Sequence, residues 1–148
     1  MQSMMPKPLL RSFRALAFHG ENRGVATGAE LELKLQQDIQ VGLAVPTIKG
    51  GALQCIVLIK LQASTPNEKD LNEQINAVGE YEAKFFYAND VQESTASELM
   101  EADDYQYLLV AQAFPLAMTH FRREMQSMGL DARQLPLGFQ PQTLITAE

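Results

Sequence analysis

The chain has no tryptophan, one cysteine and two histidines in its 148 residues. A lone Cys55 excludes an intrachain disulfide and has no companions at metal-ligand spacing, so neither a disulfide framework nor a thiolate metal site is expected. Its place inside the apolar run Leu53 to Leu61 makes it a small buried hydrophobe. His19 and His120 lie far apart, and neither stands beside a Ser, Cys or Asp pattern of an activated nucleophile. No catalytic residue and no enzymatic activity are expected. Gly50-Gly51 lacks the Lys-Ser/Thr that follows in a phosphate cradle, and no strand enters a helix through a glycine fingerprint, so no nucleotide or other cofactor is expected. Basic residues are outnumbered, 12 Lys and Arg against 18 Asp and Glu for a net charge of -6. Proteins that grip a polyanion carry clustered basic surfaces, and nucleic acid is therefore not an expected partner. No apolar stretch reaches the roughly 20 residues of a membrane-spanning helix. Met1 to Leu10 holds Met and Pro without the apolar core and small-residue cleavage site of a signal peptide. The cytoplasm is the expected compartment, with residues 1–10 a flexible lead-in.

What the chain does have is apolar material: 46% of its residues are hydrophobic, enough for the core of one domain spanning residues 1–148. Phe13 to Phe18 reads as a first short strand, and Gly20 to Gly28 as a turn or loop. Leu31, Leu33, Leu35, Ile39, Val41, Leu43 and Val45 all fall on odd positions, and period two over that length means strand. Gln37 interrupts the apolar face, which places a bulge or bend near Gln36 to Asp38. After Pro46 and Gly50-Gly51, Leu53, Cys55, Val57, Ile59, Leu61 and Ala63 form another apolar face, with Ile56 and Leu58 on the opposite one. Ser64 to Asp70 is a loop. A fourth strand runs from about Ile75 to Tyr87, with Tyr81, Ala83, Phe85 and Tyr87 on one face and Glu80, Glu82 and Lys84 on the other.

Thr95 followed by Glu98 is a capping box, so a helix is expected to start there. Pro115 then kinks or divides that helix, because it lacks a donor and clashes with the preceding turn. Phe114, Met118, Phe121, Met125 and Met128 make one apolar stripe, and Gly129 suits the left-handed residue that ends a helix. The fold class is α+β: a four-stranded antiparallel meander followed by a long kinked helix or helical hairpin. Helices on one side of such a sheet leave Ile56, Leu58 and Phe86 on the other, where self-association would cover them. Core packing accounts for the Met stripe at helical spacing, although thioethers also suit surfaces that accept varied partners. The acids Glu30/Glu32 and Glu80/Glu82 read as solvated strand faces, Asp103-Asp104 as favourable charges at a helix start, and His120 as part of the polar flank of its helix.

Phe114-Pro115-Leu116-Ala117, the helix from Met118 to Met128, Gly129 and Leu135-Pro136-Leu137-Gly138-Phe139 together resemble the corresponding end of the SecB family of export chaperones. There a Phe-Pro-x-Ala helix leads through Gly into a Leu-x-Pro-x-x-Phe-like segment. The four-strand order and the opening from Phe13 to Asn22 are similar more loosely. The resemblance implies a four-stranded sheet with a long helix, a homotetramer built as a dimer of dimers, and apolar grooves that hold unfolded or partly folded polypeptides without ATP. Clients of such proteins can be handed to the SecA translocation motor. On this resemblance Phe13, Phe18, Tyr105, Phe121 and Phe139 are the expected groove-lining aromatics, and Glu80 and Glu82 the acidic face for docking the motor. The chain departs from the family at Met118, where Arg is common, and at Ala15 and His19, where the first strand is acidic in the family. It also has only Leu144 and Ile145 to seed a terminal helix. A SecB-fold protein dedicated to one partner, antitoxin-like or phage-related, is the alternative expectation.

Overall fold

Odd positions in the middle of the chain are apolar and even ones mostly polar, and a computed structural model shows where that alternation leads. The structure describes residues 6–24, 33–48, 50–65, 75–133, 135, 136 and 138. Four strands, β1 (Leu9–Asn22), β2 (Lys34–Ala44), β3 (Gln54–Ser64) and β4 (Ile75–Phe86), precede two helices, α1 (Glu93–Met100) and α2 (Asp103–Ser127). The odd residues of β3 and β4, together with the flanking Leu53 and Tyr87, are buried beneath the helices. Their even neighbours face the other side of the sheet, as the two-residue period of a strand requires.

All strand pairs are antiparallel, but their spatial order is β1-β4-β3-β2 rather than that of a simple meander. Only β2, β3 and β4 follow one another. The first strand lies against the fourth, a Greek-key arrangement read from the N-terminal side. Specific cross-strand contacts accompany this register. Phe13 stacks on Tyr81 with ring centroids 5.9 Å apart, and Arg14 Nε donates to Glu82 Oε1 at 2.8 Å. The first strand is also longer than the Phe13 to Phe18 core suggests, and Leu9 and Leu10 already belong to it.

Two further expectations are corrected. The β2–β3 ladder is unbroken from Lys34↔Ser64 to Ala44↔Gln54, so Gln37 takes its place opposite Leu61 without a bulge. The irregularities fall in β1 instead, between Leu10 and Ser12 and between Ala15 and Ala17. One polar side chain at a half-exposed position costs the ladder little, whereas the extra residues in β1 let a long strand follow the twist of β4. The helices also divide elsewhere. α1 begins at Glu93 after Gln92, two residues before Thr95, and the break comes at Glu101–Ala102 while α2 runs through Pro115 without interruption.

The far end of α2 closes as expected. Gly129, at φ 84°, donates to Gln126 O at 2.9 Å and Leu130 N to Met125 O at 3.3 Å. That pair of bonds is the Schellman pattern, and only glycine reaches its left-handed residue without strain. Leu130, Ala132 and Leu135 then return to the core. Among the described residues no helix is long and apolar enough to cross a membrane.

Candidate functional site

The helix layer does not cover the sheet evenly, and this decides where the candidate site lies. α2 packs on β1, β3 and β4, whereas β2 is met by the short α1. In β3 the helix-facing side chains of Cys55, Val57, Ile59 and Leu61 are at most 2% exposed. Their direct partners in β2 are Leu43, Val41, Ile39 and Gln37, with Leu35 opposite Ala63, and every one of these is partly open to solvent. One strand spacing, about 4.8 Å, separates a closed core from an open row. Val91, Leu99 and Tyr107 on and before the helices are likewise partly exposed while packed against the core. A row of side chains at two-residue spacing results, apolar except at Gln37 and half open to solvent.

The aromatics expected to line a groove are placed differently from one another. Phe121 is fully buried, and its ring edge meets Phe18 at a centroid distance of 5.8 Å. Tyr105 is buried at the start of α2, where its hydroxyl donates to Pro6 O at 2.7 Å and accepts from Tyr87 at 2.7 Å. Burial raises both phenols, and donation to Tyr105 raises Tyr87 further. Phe13 and Phe18 are half-buried on β1. Phe139 lies outside the described residues. The structure therefore groups Phe13, Phe18 and Phe121 at the β1–α2 contact and sets Tyr105 at the opposite end of α2.

His120 belongs to that aromatic group rather than to a polar helix flank. Its Nδ1 lies 3.0 Å from Tyr81 Oη, its ring meets Phe18 and Tyr81 edge to face, and Nε2 is 3.7 Å from Glu124 Oε2. Burial pushes the Tyr81 phenol up, with Glu124 adding to the shift. The i, i+4 spacing to Glu124 was a readable signal for the pair; the contact with Tyr81 was not, because it depends on how α2 lies across the sheet. Gly79 makes that contact possible. A Cβ there would stand 2.6 Å from Tyr81 Oη and 3.0 Å from Phe121 Cδ1.

Glu80 and Glu82 share the opposite face of the sheet, as expected from their spacing, but differ in state. Glu82 is paired with Arg14 and its side chain is only 14% exposed. Glu80 is exposed and lies opposite Lys60, which in turn lies opposite Asp38. Leu16, thrown outward at the β1 bulge, and Leu58 join them around a shallow cavity of about 220 Å³. This face is thus a charged belt with leucines set into it. Cys55 is buried on the helix side, its thiol pushed up to about 12 by burial.

No protein-family model and no curated protein sequence matches the chain. Among solved structures it is similar to the SecB-like chaperone Rv1957 of Mycobacterium tuberculosis, solved in complex with a ChAD peptide from the Rv1956 HigA1 antitoxin. That likeness covers 88% of both chains with a TM-score of 0.56 and 14% identity. The fold is SecB-like, as the sequence resemblance implied.

Proposed function

We propose that this protein is a non-enzymatic, ATP-independent holdase that binds extended, apolar segments of non-native polypeptides. The observation that carries the reading is the half-covered row Leu35, Ile39, Val41 and Leu43 within a SecB-like fold. Each Val, Leu or Ile of a client that leaves water for such a row contributes about 1.5–3 kcal/mol before the costs of ordering the chain. A protein that binds unfolded chains in this way withdraws them from aggregation by mass action and needs no chemical step. The test is light scattering by a client diluted from denaturant. Equimolar protein suppresses it without nucleotide, and undiminished scattering at excess protein overturns the reading.

The surface of α2 suits self-association as well. From Tyr105 to Phe121 no residue of α2 is acidic or carries a lysine or arginine, and Leu108 and Leu116 stand 44% and 41% exposed on it. A surface helix without charge over several turns suits packing against a second subunit. We take the assembly to be a homotetramer, a dimer of dimers. Delivery to the SecA motor would fall to Glu80, because Arg14 already neutralises Glu82 and, among the described residues, no ion pair engages Glu80.

A second reading has its own observation. The similar chaperone of known structure holds a peptide of one antitoxin, so the row on β2 also fits a protein dedicated to a single partner. Tagged protein recovered from its own cells separates the two. Many substoichiometric clients indicate a general holdase, and one equimolar partner without protection of unrelated clients indicates a dedicated one.

A further inference from the structure

The buried side of α2 follows a single row. Tyr105, Leu109, Ala113, Ala117, Phe121 and Met125, each four residues after the last, are at most 3% exposed. Residues at that spacing line up along one ridge of a helix, and the ridge beside this one is Asp104, Leu108, Gln112, Leu116, His120 and Glu124. Its first four members are exposed and its last two partly so. About Gln112 this ridge is symmetric in all but charge: Leu108 and Leu116 flank it one step away, Asp104 and His120 two steps away. A two-fold contact sets residue i against j and j against i. With its axis at Gln112, leucine meets leucine and the acid meets the imidazole at both ends. Ridges of this spacing interdigitate when two helices cross at about 50°.

His120 is placed to respond to what stands opposite it. Tyr81 Oη of β4 lies 3.0 Å from its Nδ1, Glu124 Oε2 of the same helix lies 3.7 Å from its Nε2, and β1 adds the Phe18 ring. Arg123 follows on the helix and is exposed, and Asp103 stands beside Asp104 at the other end. A neutral imidazole has one N–H for two neighbours, and a protonated one has one for each. We infer that His120 is a pH-dependent latch between two copies of this chain: its protonated ring holds Asp104 of the second copy, and its neutral ring leaves that carboxylate facing Glu124. This rests on the self-association reading of α2 above and deepens it by naming what regulates the contact. With the ring neutral, two carboxylates confront each other at each end of the contact. Protonation puts a positive charge between them. An association that takes up protons tightens as pH falls, here across the range in which histidine changes charge, about pH 8 to 5. Two-fold symmetry supplies the latch twice per contact, so the response exceeds that of one surface ion pair.

The test uses the full chain. Sedimentation equilibrium at about pH 8 and about pH 6 reads the association constant, which is expected to rise about tenfold at the lower value. Asp104→Asn, at an exposed position, is expected to reduce that change to within about twofold, and His120→Gln to do the same. His19→Gln, which alters the other histidine at an exposed position on β1, is expected to leave the change intact. A pH response that survives Asp104→Asn, or that disappears with His19→Gln, overturns the latch while leaving self-association standing. So does an assembly whose association constant does not change with pH. A single subunit at both values overturns the self-association reading and the latch together. Gln112→Cys checks the register: mild oxidation is expected to cross-link it to its own copy, because the axis passes through that position, while Cys55 is buried and does not compete. Assembly without that cross-link sets the second copy elsewhere on the chain and overturns the inference.

Discussion

Single residues beneath α2 hold the aromatic group together by fit. Gly79 is the clearest case, because an added Cβ meets a buried phenol and a buried ring that have nowhere to go. Gly79→Ala is expected to cost about 1–3 kcal/mol by overpacking, readable as a lower midpoint in urea denaturation. The hydroxyl chain from Tyr87 through Tyr105 to Pro6 O makes a finer test. Tyr87→Phe removes one donor and leaves the Tyr105 proton on Pro6 O, at a cost of about 1 kcal/mol, whereas Tyr105→Phe leaves the buried Tyr87 hydroxyl unpaired and costs about 1–3 kcal/mol. The order of the two, not their absolute size, is the prediction. Asp131 supplies a pH-dependent one. Hydrogen bonds from the Arg133 guanidinium and backbone hold its carboxyl down to about 2. A carboxyl lowered on folding contributes above its unfolded value, near the ordinary 3.8, and loses that contribution as pH falls towards 2. Titration by NMR should place Asp131 well below the ordinary carboxylate range and return it towards that range in Arg133→Gln.

Secondary elements differ in how far their own sequences account for them. The period-two stretches that became β2, β3 and β4 were legible because each buries one row of side chains against a single layer. The Schellman end of α2 was legible for a local reason, a glycine followed by a leucine that can return to the core. Pro115 does not divide α2, because the missing bond of one proline is tolerated where packing on both sides holds the helix, with Phe114 and Ala117 fully buried around it. Pro115→Ala is therefore expected to stabilise the fold, by up to about 3 kcal/mol, as the restored N–H pairs with the preceding turn. Chemical denaturation with an unchanged slope is the check. The break at Glu101–Ala102 carries neither glycine nor proline, and it was not visible in residue type.

On the scale of the whole molecule, the proposed assembly and the proposed client binding would draw on separate surfaces. Leu108 and Leu116 lie on α2, while Leu35, Ile39, Val41 and Leu43 lie on the edge strand. Leu108→Lys with Leu116→Lys should lower the mass in solution by sedimentation or light scattering without unfolding the subunit, since both side chains are already exposed. Ile39→Lys with Val41→Lys should leave the mass unchanged and abolish protection of a refolding client. Loss of both properties together in either double variant would show that the two surfaces are one.

Periodicity of residue types was enough to identify β2, β3 and β4, the apolar stripe of α2 and the buried cysteine, because each follows from one side chain row meeting one layer. Resemblance at the C-terminal third carried the fold further, and the three-dimensional likeness agrees with it. Packing decided the rest: that β1 crosses to β4, that Phe121 and Tyr105 turn inward while β2 stays half open, and that Arg14 neutralises Glu82. These depend on contacts between residues far apart in the chain. A strand carries the same period whichever neighbour it pairs with, and a helix the same stripe however it crosses the sheet.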